Sequence, residues 1–559
     1  MFAAPRGKRV FVSGKYSVMD RSSTATAVQA SAERRPAPAQ RGRVLAGLVV
    51  AMGLAAMDAT IVATAVPSIV RDLGGFSLFA WIFSIYVLAQ AVTIPVYGKL
   101  ADLHGRKPVL LAGTLIFLAG SALSGLAWSM PALIAFRALQ GIGAGAIQPV
   151  AMTVVGDLYT VEERGRIQGW LSSVWGISAV VGPALGGFFS EYASWRWIFY
   201  INIPIGAAAL VMIARSLREN VAHRPHRIDY GGAALLAVGV GSFIFGLLQG
   251  GVQWPWLSTP SAGVFAVAAA ALGAFVWQER RAAEPMLPPW VMARRVLVGA
   301  NLSNVALGVL TIGLTTFLPT YAQGVLGVGA VVAGFILAAM TISWPLASTL
   351  SARLYLRIGF RDNALVGAVI ALASTAIFVA LPRDAPVWAP ALGSLVMGAG
   401  LGLIATPLIV GIQSVVDWER RGVVTGASMF ARLVGQALGA AVFGGVANAA
   451  LAGWFHQAPA RIARQLPASV NAASAVLGGG SHRIGSAAAA YVREGLYLAA
   501  HEVFVGLAVV AIGGIVALLL TPRHFARLRF DDEGNARPAG HMEMVNGAAA
   551  PAGVRAADA

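Results

Sequence analysis

The sequence predicts an all-α polytopic membrane protein with a major share of its length in about 14 transmembrane helices, arranged as 6+2+6. Three observations predict it. Of the 559 residues 57% are hydrophobic and 12% charged. Apolar runs long enough to cross a hydrocarbon core recur along the chain. A pattern of glycines and arginines repeats between its two halves. A mean hydropathy of +0.71 represents more apolar surface than one water-soluble core can hide. The net charge of +17 is spread over short loops between apolar runs, which marks membrane topology and argues against a nucleic-acid partner. Cysteine is absent, so disulfides, thiolate metal sites and cysteine nucleophiles are excluded.

Residues 1–42 are polar and rich in Ala, Arg and Ser, and read as a disordered cytoplasmic tail in which Met19 is an alternative start to Met1. The spans follow at about 44–66, 78–98, 109–128, 132–156, 168–190, 196–215, 229–249, 262–278, 296–318, 328–350, 363–381, 387–412, 424–447 and 502–521. Residues 43–216 then form an N-terminal six-helix half, 217–295 two inserted helices and linkers, and 296–521 a C-terminal six-helix half. Within that last half, 448–500 reads as a long external loop, and 522–559 as a cytoplasmic C-terminal tail. Loops after even-numbered spans hold Arg106 and Lys107, Arg164 and Arg166, Arg280 and Arg281, and Arg420 and Arg421; those after odd-numbered spans hold little beyond Arg71, Arg196 and Arg383. Because positively charged short loops stay inside, both termini are expected in the cytoplasm, with the chain in a bacterial inner membrane.

The repeat is read from glycines. QGIGAG pairs with MGAGLG so that Gly141, Gly143 and Gly145 match Gly398, Gly400 and Gly402, 257 residues on (141 to 398). The same offset pairs Arg164 with Arg421, Gly165 with Gly422 and Gly182 with Gly439. A nearby offset of 254 (105 to 359) pairs Gly105 with Gly359 and Lys107 with Arg361. Paired halves of this kind are common in membrane transporters. The chemistry is unequal, since Leu356 replaces Asp102 and Ser394 replaces Arg137.

Four stretches carry the chemistry. GKLADLHGRKP, residues 98–108, crowds ionisable groups into a weakly charged chain; Gly98, Asp102 and Arg106 are four apart, so a continuous helix would carry them on one face. MDATIVATAVPSIV, residues 57–70, places Asp58 in an otherwise uncharged run. Burial there disfavours a charged carboxylate and suits it to load and release a proton, the alternative being a structural acid bonded to a neighbouring helix. LIAFRALQGIGAGAIQP, residues 133–149, sets Arg137 ahead of Gly141 and Gly145. An arginine keeps its charge, so this one faces a polar interior or snorkels to the outer headgroups. SAVVGPALGG, residues 178–187, makes a small-residue stripe of Ser178, Gly182 and Gly186 around Pro183, suited to close helix contact.

Together these stretches resemble the signatures of the major facilitator superfamily, specifically its fourteen-span drug:proton antiporter branch, over about residues 44–447. The resemblance implies the major facilitator fold. It implies a cytoplasmic gate of Gly98, Asp102, Gly105 and Arg106 relayed to Asp157, which would latch the outward-facing state. It assigns proton coupling or substrate contact to Asp58, Arg137 and Gln140, and an exporter motif to Ser178, Gly182, Pro183, Gly186 and Gly187. Departures are Ala63 where the branch usually has Asn, and Ser178 where it has Gly.

The function expected is a proton-coupled antiporter that exports lipophilic small molecules by alternating access around a central pocket lined by spans one, four and five and their C-terminal counterparts. A proton symporter, or an exporter of one metabolite, is the alternative. Energy is expected from an ion gradient, because the Walker-like string RGKRVFVSGKYS fails the phosphate-loop spacing and no HExxH or serine-nucleophile elbow occurs. No enzyme activity, cofactor or metal is implied. Partners would be a lipophilic cargo, protons and lipid, with a periplasmic adaptor and outer-membrane channel as candidates. Arg432 in span thirteen is a base with no obvious partner in sequence, and the C-terminal spans offer Asn301, Asn304, Gln323, Gln413 and Gln436 but no interior acid; because exporters of dicationic antiseptics in the branch it resembles often place a second acid there, the resemblance argues against purely cationic cargo. Replacing Asp102 by Asn should abolish transport while leaving membrane expression intact; full transport by Asp102→Asn would overturn the gate.

Overall fold

The computed structural model describes residues 38–159, 161–217, 229–250, 253–282, 285, 287–417, 420–465, 485–523, 525, 528–530 and 536–538. Long helices stand where the apolar runs predict them: α1 Pro38–Leu73, α2 Phe79–His104, α3 Arg106–Gly125, α4 Met130–Leu158, α5 Val161–Tyr192, and α6 Asn202–Ser216 after a short turn Trp197–Tyr200. The inserted pair is α7 Tyr230–Gln249 and α8 Thr259–Glu279. The second half holds α9 Arg295–Gly324, α10 Ala330–Ile358, α11 Phe360–Val379, α12 Trp388–Ser414, α13 Arg421–His456 and α14 Ser486–Leu520. Among the described residues 13 such segments are long and apolar enough to cross a membrane, and α5 runs for 32 residues beside them. Helix starts carry local signals: Ser129 accepts from Ala132 N with Pro131 in the first turn of α4, and Asp229 Oδ1 accepts from Gly232 N at 2.8 Å ahead of α7.

The apolar surface points the way lipid requires. Only 22% of the core window of α8 is buried, against 67% for α12, and α8 turns Val267, Val276 and Trp277 outward. Such a face would drive association in water; here hydrocarbon is its solvent.

The sequence repeat is a repeat in packing. Gly143 on α4 meets the backbone of Gly113 and Phe117 on α3, and Gly400 on α12 meets that of Gly367 and Ala371 on α11. Gly141 faces the Tyr86 carbonyl on α2, and Gly398 faces the Met340 carbonyl on α10. A side chain at any of these would strike backbone, so each inner helix is pressed between the same two neighbours in both halves. The turns repeat as well. Gly105 has φ 95° and ψ 156°, and Gly359 has φ 89° and ψ 164°, a region only glycine enters readily.

The halves meet along α5 with α10, α1 with α9, and α2 with α13, and α7 packs on both α2 and α13 as well as on α8. Hydrogen bonds that cross between them among the described residues include Gln323 Nε2 to Thr64 O at 3.1 Å, Asn448 Nδ2 to Ser77 O at 2.9 Å, and Val331 N to Glu191 Oε2 at 3.2 Å. All three lie at the end of the bundle that holds the turns 74–78 and 325–329. At the opposite end the space beside Gly98 on α2, and beside Gly422 and Gly426 on α13, is open.

Several expectations shift. The 448–500 stretch is not all connector, since α13 continues to His456 and α14 begins at Ser486. The polar residues of 448–456 and 486–500 belong to helix ends that project beyond the apolar run, and residues 466–484 lie outside the described part. Trp454 stacks on Tyr491 at 4.8 Å, and Glu494 pairs with Arg383 in the turn before α12. The Gly98, Asp102, Arg106 face is broken, because Gly105 ends α2 and Arg106 starts α3. At the N-terminus α1 begins at Pro38, inside the expected tail, and residues 1–37 lie outside the described part. Beyond α14 a short antiparallel hairpin pairs Leu528–Phe530 with Ala536–Pro538.

Candidate functional site

The close fit of α4 between α2 and α3 decides which of its residues face α1. Arg137 and Gln140, three apart on α4, share a helix face, and both reach Asp58 on α1. Arg137 Nη1 donates to Asp58 Oδ2 at 2.7 Å, and Gln140 Nε2 to Asp58 Oδ1 at 2.8 Å. A third donor was not foreseen: Asn202 Nδ2, at the start of α6, lies 3.2 Å from Asp58 Oδ1 and 3.0 Å from Ser121 Oγ on α3. Ser121 in turn donates to Phe199 O at 2.9 Å, which fixes the short turn ahead of α6 and so aims Asn202.

Arg137 is compensated on several sides. Its Nη1 also donates to Gln140 Oε1 at 2.7 Å, its Nε to Ile82 O at 3.3 Å, and its Cζ lies 4.0 Å from the Tyr86 ring centroid. Asp58 is 0% and Arg137 1% exposed. Snorkelling is therefore excluded for Arg137. Asp58 is not a lone acid either: it sits inside the N-terminal half, its donors come from α4 and α6, and no C-terminal residue touches it among the bonds described. The cluster is thus a closed ion pair in which both carboxylate oxygens of Asp58 accept hydrogen bonds, the geometry in which a buried pair is tolerated, while Asn202 Oδ1 is buried without a partner among the described residues.

The signal for Asn202 was present in the sequence. It stands in an apolar run, INIPIGAAALVMI, where the rule that singled out Asp58 applies with equal force.

The SAVVGPALGG stretch stitches α5 to α1 and brings it against the other half. Ser178 Oγ donates to Gly53 O at 3.3 Å, Thr60 Oγ1 to Ser178 O at 3.1 Å, and Thr64 Oγ1 to Pro183 O at 3.3 Å. Gly182 and Gly186 sit against Thr60 and the Ile61 carbonyl. A Cβ on Gly187 would stand 2.8 Å from Ala330 O, and one on Gly334 2.7 Å from Pro183 O, so α5 and α10 touch backbone to backbone. Of the gate residues, Asp102 lies in the last turn of α2 and Asp157 in the last turn of α4; both side chains lie outside the described residues. An apolar cavity of about 860 Å³ opens away from this cluster, between α2, α7 and α8, lined by Trp81, Phe245, Trp254 and Val267 with Thr93 and Ser242 as its hydroxyls.

Comparison with known proteins adds the following. The Major Facilitator Superfamily matches residues 48–440. The chain is 33% identical over 516 residues to the multidrug transporter protein MdtP of Bacillus subtilis, covering 88% of this chain and 95% of that one. It is 38% identical over 404 residues to multidrug resistance protein 3 of the same organism, covering 72% and 79%. Among solved structures, a bacterial homolog of the human lysosomal transporter Spinster superposes with a TM-score of 0.64 at 17% identity, covering 87% of this chain and 98% of that one. That likeness concerns the fold alone.

Removing one member of a satisfied buried pair leaves the other charge stranded. Asp58→Ala should lower unfolding stability by about 3–5 kcal/mol, while the double replacement Asp58→Leu with Arg137→Met should recover most of it. Thermal unfolding of the purified variants tests this, and a double variant no more stable than Asp58→Ala would contradict it.

Proposed function

The chain belongs to the major facilitator superfamily and is a multi-pass membrane transporter of small molecules, not an enzyme; on that premise we propose that it is a proton-coupled antiporter exporting lipophilic compounds from a bacterial inner membrane. The observation that carries the proposal is the buried Asp58–Arg137 pair. The names of its two Bacillus relatives support export of drug-like cargo, and the charge asymmetry of the loops supports cytoplasmic termini. With that orientation the end closed by Gln323, Asn448 and Glu191 faces outward, and the end left open beside Gly98 and Gly426 faces the cytoplasm.

Coupling follows from linkage. In the described arrangement the two charges compensate each other, and a proton on Asp58 would cancel one of them and leave Arg137 buried with only neutral partners. By reciprocity, a proton bound to Asp58 favours whatever arrangement relaxes the pair. A carrier that sheds its proton when open to the cytoplasm and regains it when open to the outside exchanges one proton movement for one cargo movement in opposite directions. The mechanical connection runs along α1: Thr64, on the same helix as Asp58, bonds Pro183 of α5 and accepts from Gln323 of α9. Tilting α1 would strain the outer seal to which Ser178, Gly182, Pro183, Gly186 and Gly187 contribute. Gly98, Asp102, Gly105, Arg106 and Asp157 would form the opposing latch, engaged when the cytoplasmic end closes. A periplasmic adaptor and outer-membrane channel would extend the route where a second membrane is present.

In proteoliposomes with an imposed pH gradient, Asp58→Asn should lose gradient-driven accumulation of a lipophilic dye yet keep dye exchange, and Asp58→Glu should retain the driven mode. Undiminished gradient-driven transport in Asp58→Asn would contradict the coupling.

A further inference from the structure

The C-terminal half holds a cation that the coupling mechanism does not use. Arg432 lies on α13, about 16 Å along the helix from Arg421 at a rise of 1.5 Å per residue, and so deep within the span. It is partly buried. Its Nε is enclosed without a hydrogen-bond partner, and none of the ion pairs among the described residues includes it. The contrast with Arg137, bonded on three sides, is complete.

Among the described residues no acid is paired with Arg432. Asp58 and Glu279 are the buried carboxylates among the described residues, and both are engaged: Asp58 by Arg137, and Glu279 by Leu287 N at 2.8 Å. Rotation of α13 offers no escape. Gly308 on α9 lies against the Arg432 carbonyl, Gly435 lies against the Val305 backbone, and Asn304 Nδ2 donates to Ser428 Oγ at 2.8 Å one turn before Arg432. Gln436, one turn after it, stands on the same helix face and can add a second donor.

A guanidinium keeps its charge at any accessible pH, and at mid-span it is tolerated where it meets water or an anion rather than hydrocarbon. The helices flanking α13 belong to both halves, α9 on one side and α2 on the other, so Arg432 stands on a helix that borders the seam between the halves. We propose that Arg432 is a cargo-binding residue that selects lipophilic organic anions, its planar fork receiving the paired oxygens of a carboxylate or sulfonate. The proposal rests on the reading of the chain as a small-molecule transporter and names its cargo class. It also gives the two halves separate tasks, with proton coupling assigned to the compensated pair and cargo recognition to the uncompensated cation.

The test uses the full chain purified in detergent and two probes that share one ring system, naphthalenesulfonate and trimethyl(naphthyl)ammonium, measured by equilibrium dialysis. The wild-type chain should bind the sulfonate at least about tenfold more tightly than the ammonium ion, a difference of about 1.4 kcal/mol. Arg432→Gln should abolish that preference, and Arg432→Lys should keep part of it. A wild-type chain that binds both probes alike, or neither, overturns the proposal, as does an Arg432→Gln chain that keeps the preference. An Arg432→Gln chain weakened equally toward both probes also overturns it and gives Arg432 a packing role. Binding requires no pH gradient. A chain that prefers the sulfonate but fails to accumulate dye against a gradient therefore refutes proton coupling alone, and the converse result refutes anion selection alone.

Discussion

A carboxylate and a guanidinium that have both left water are stable only while each satisfies the other, and the N-terminal half is organised around one such pair. Asp58 and Arg137 are 2.7 Å apart, and Gln140, Asn202, Ser121 and the Ile82 carbonyl complete their hydrogen bonding. Five helices must hold their positions for that to be so. α1 supplies the acid, α4 the base and Gln140, α6 the asparagine, α3 the serine that orients it, and α2 the Ile82 carbonyl. The pair is consequently a report on the packing of these helices: displace α1 from α4 and an unpaired charge appears in a medium that does not tolerate one. In the proposed coupling, a proton that removed one of the two charges would act through that sensitivity on the arrangement of helices.

Glycine supplies the precision this requires. The stripes at Gly141, Gly143 and Gly145, repeated at Gly398, Gly400 and Gly402, bring α4 and α12 into backbone contact with their neighbours. One scaffold is thereby built twice. What is placed on it differs, for where the first half carries Arg137 the second carries Ser394, which is fully buried, and the second half has no counterpart of Asp58. Under the proposed coupling, a common frame with unequal polar contents would let one half respond to protons without the other doing so. The α7–α8 pair is added at the seam, where α7 touches α2 and α13, and α8 spends most of its surface on lipid.

Much of this was legible in the sequence because lipid makes unusually strict demands. A span must be apolar over its full length, which located the helices, and a charge inside a span must have a reason, which located Asp58 and Arg137. The same rule would have found Asn202 had neutral polar residues been weighed like charged ones. Hydropathy failed where helices leave the membrane. The beginning of α14, with Arg493 and Glu494, reads as a loop by polarity but is helical, with Glu494 held by Arg383. Spacing failed at Gly105, because the count of four from Asp102 to Arg106 assumes a continuous helix and a residue at φ 95° interrupts it. Gln140 entered the candidate site through the family resemblance rather than through any pattern in the residues themselves, and its contact with Asp58 became clear only with the packing of α4.

The central claim is that the charge on Asp58 exchanges with cargo. It is tested most directly by adding a lipophilic dye that the wild-type chain transports to the purified protein in weakly buffered solution and recording the pH change. The account predicts proton release on dye binding by the wild-type chain and none by Asp58→Asn. Equal release from both, or dye binding by the wild-type chain with no release at all, would contradict it.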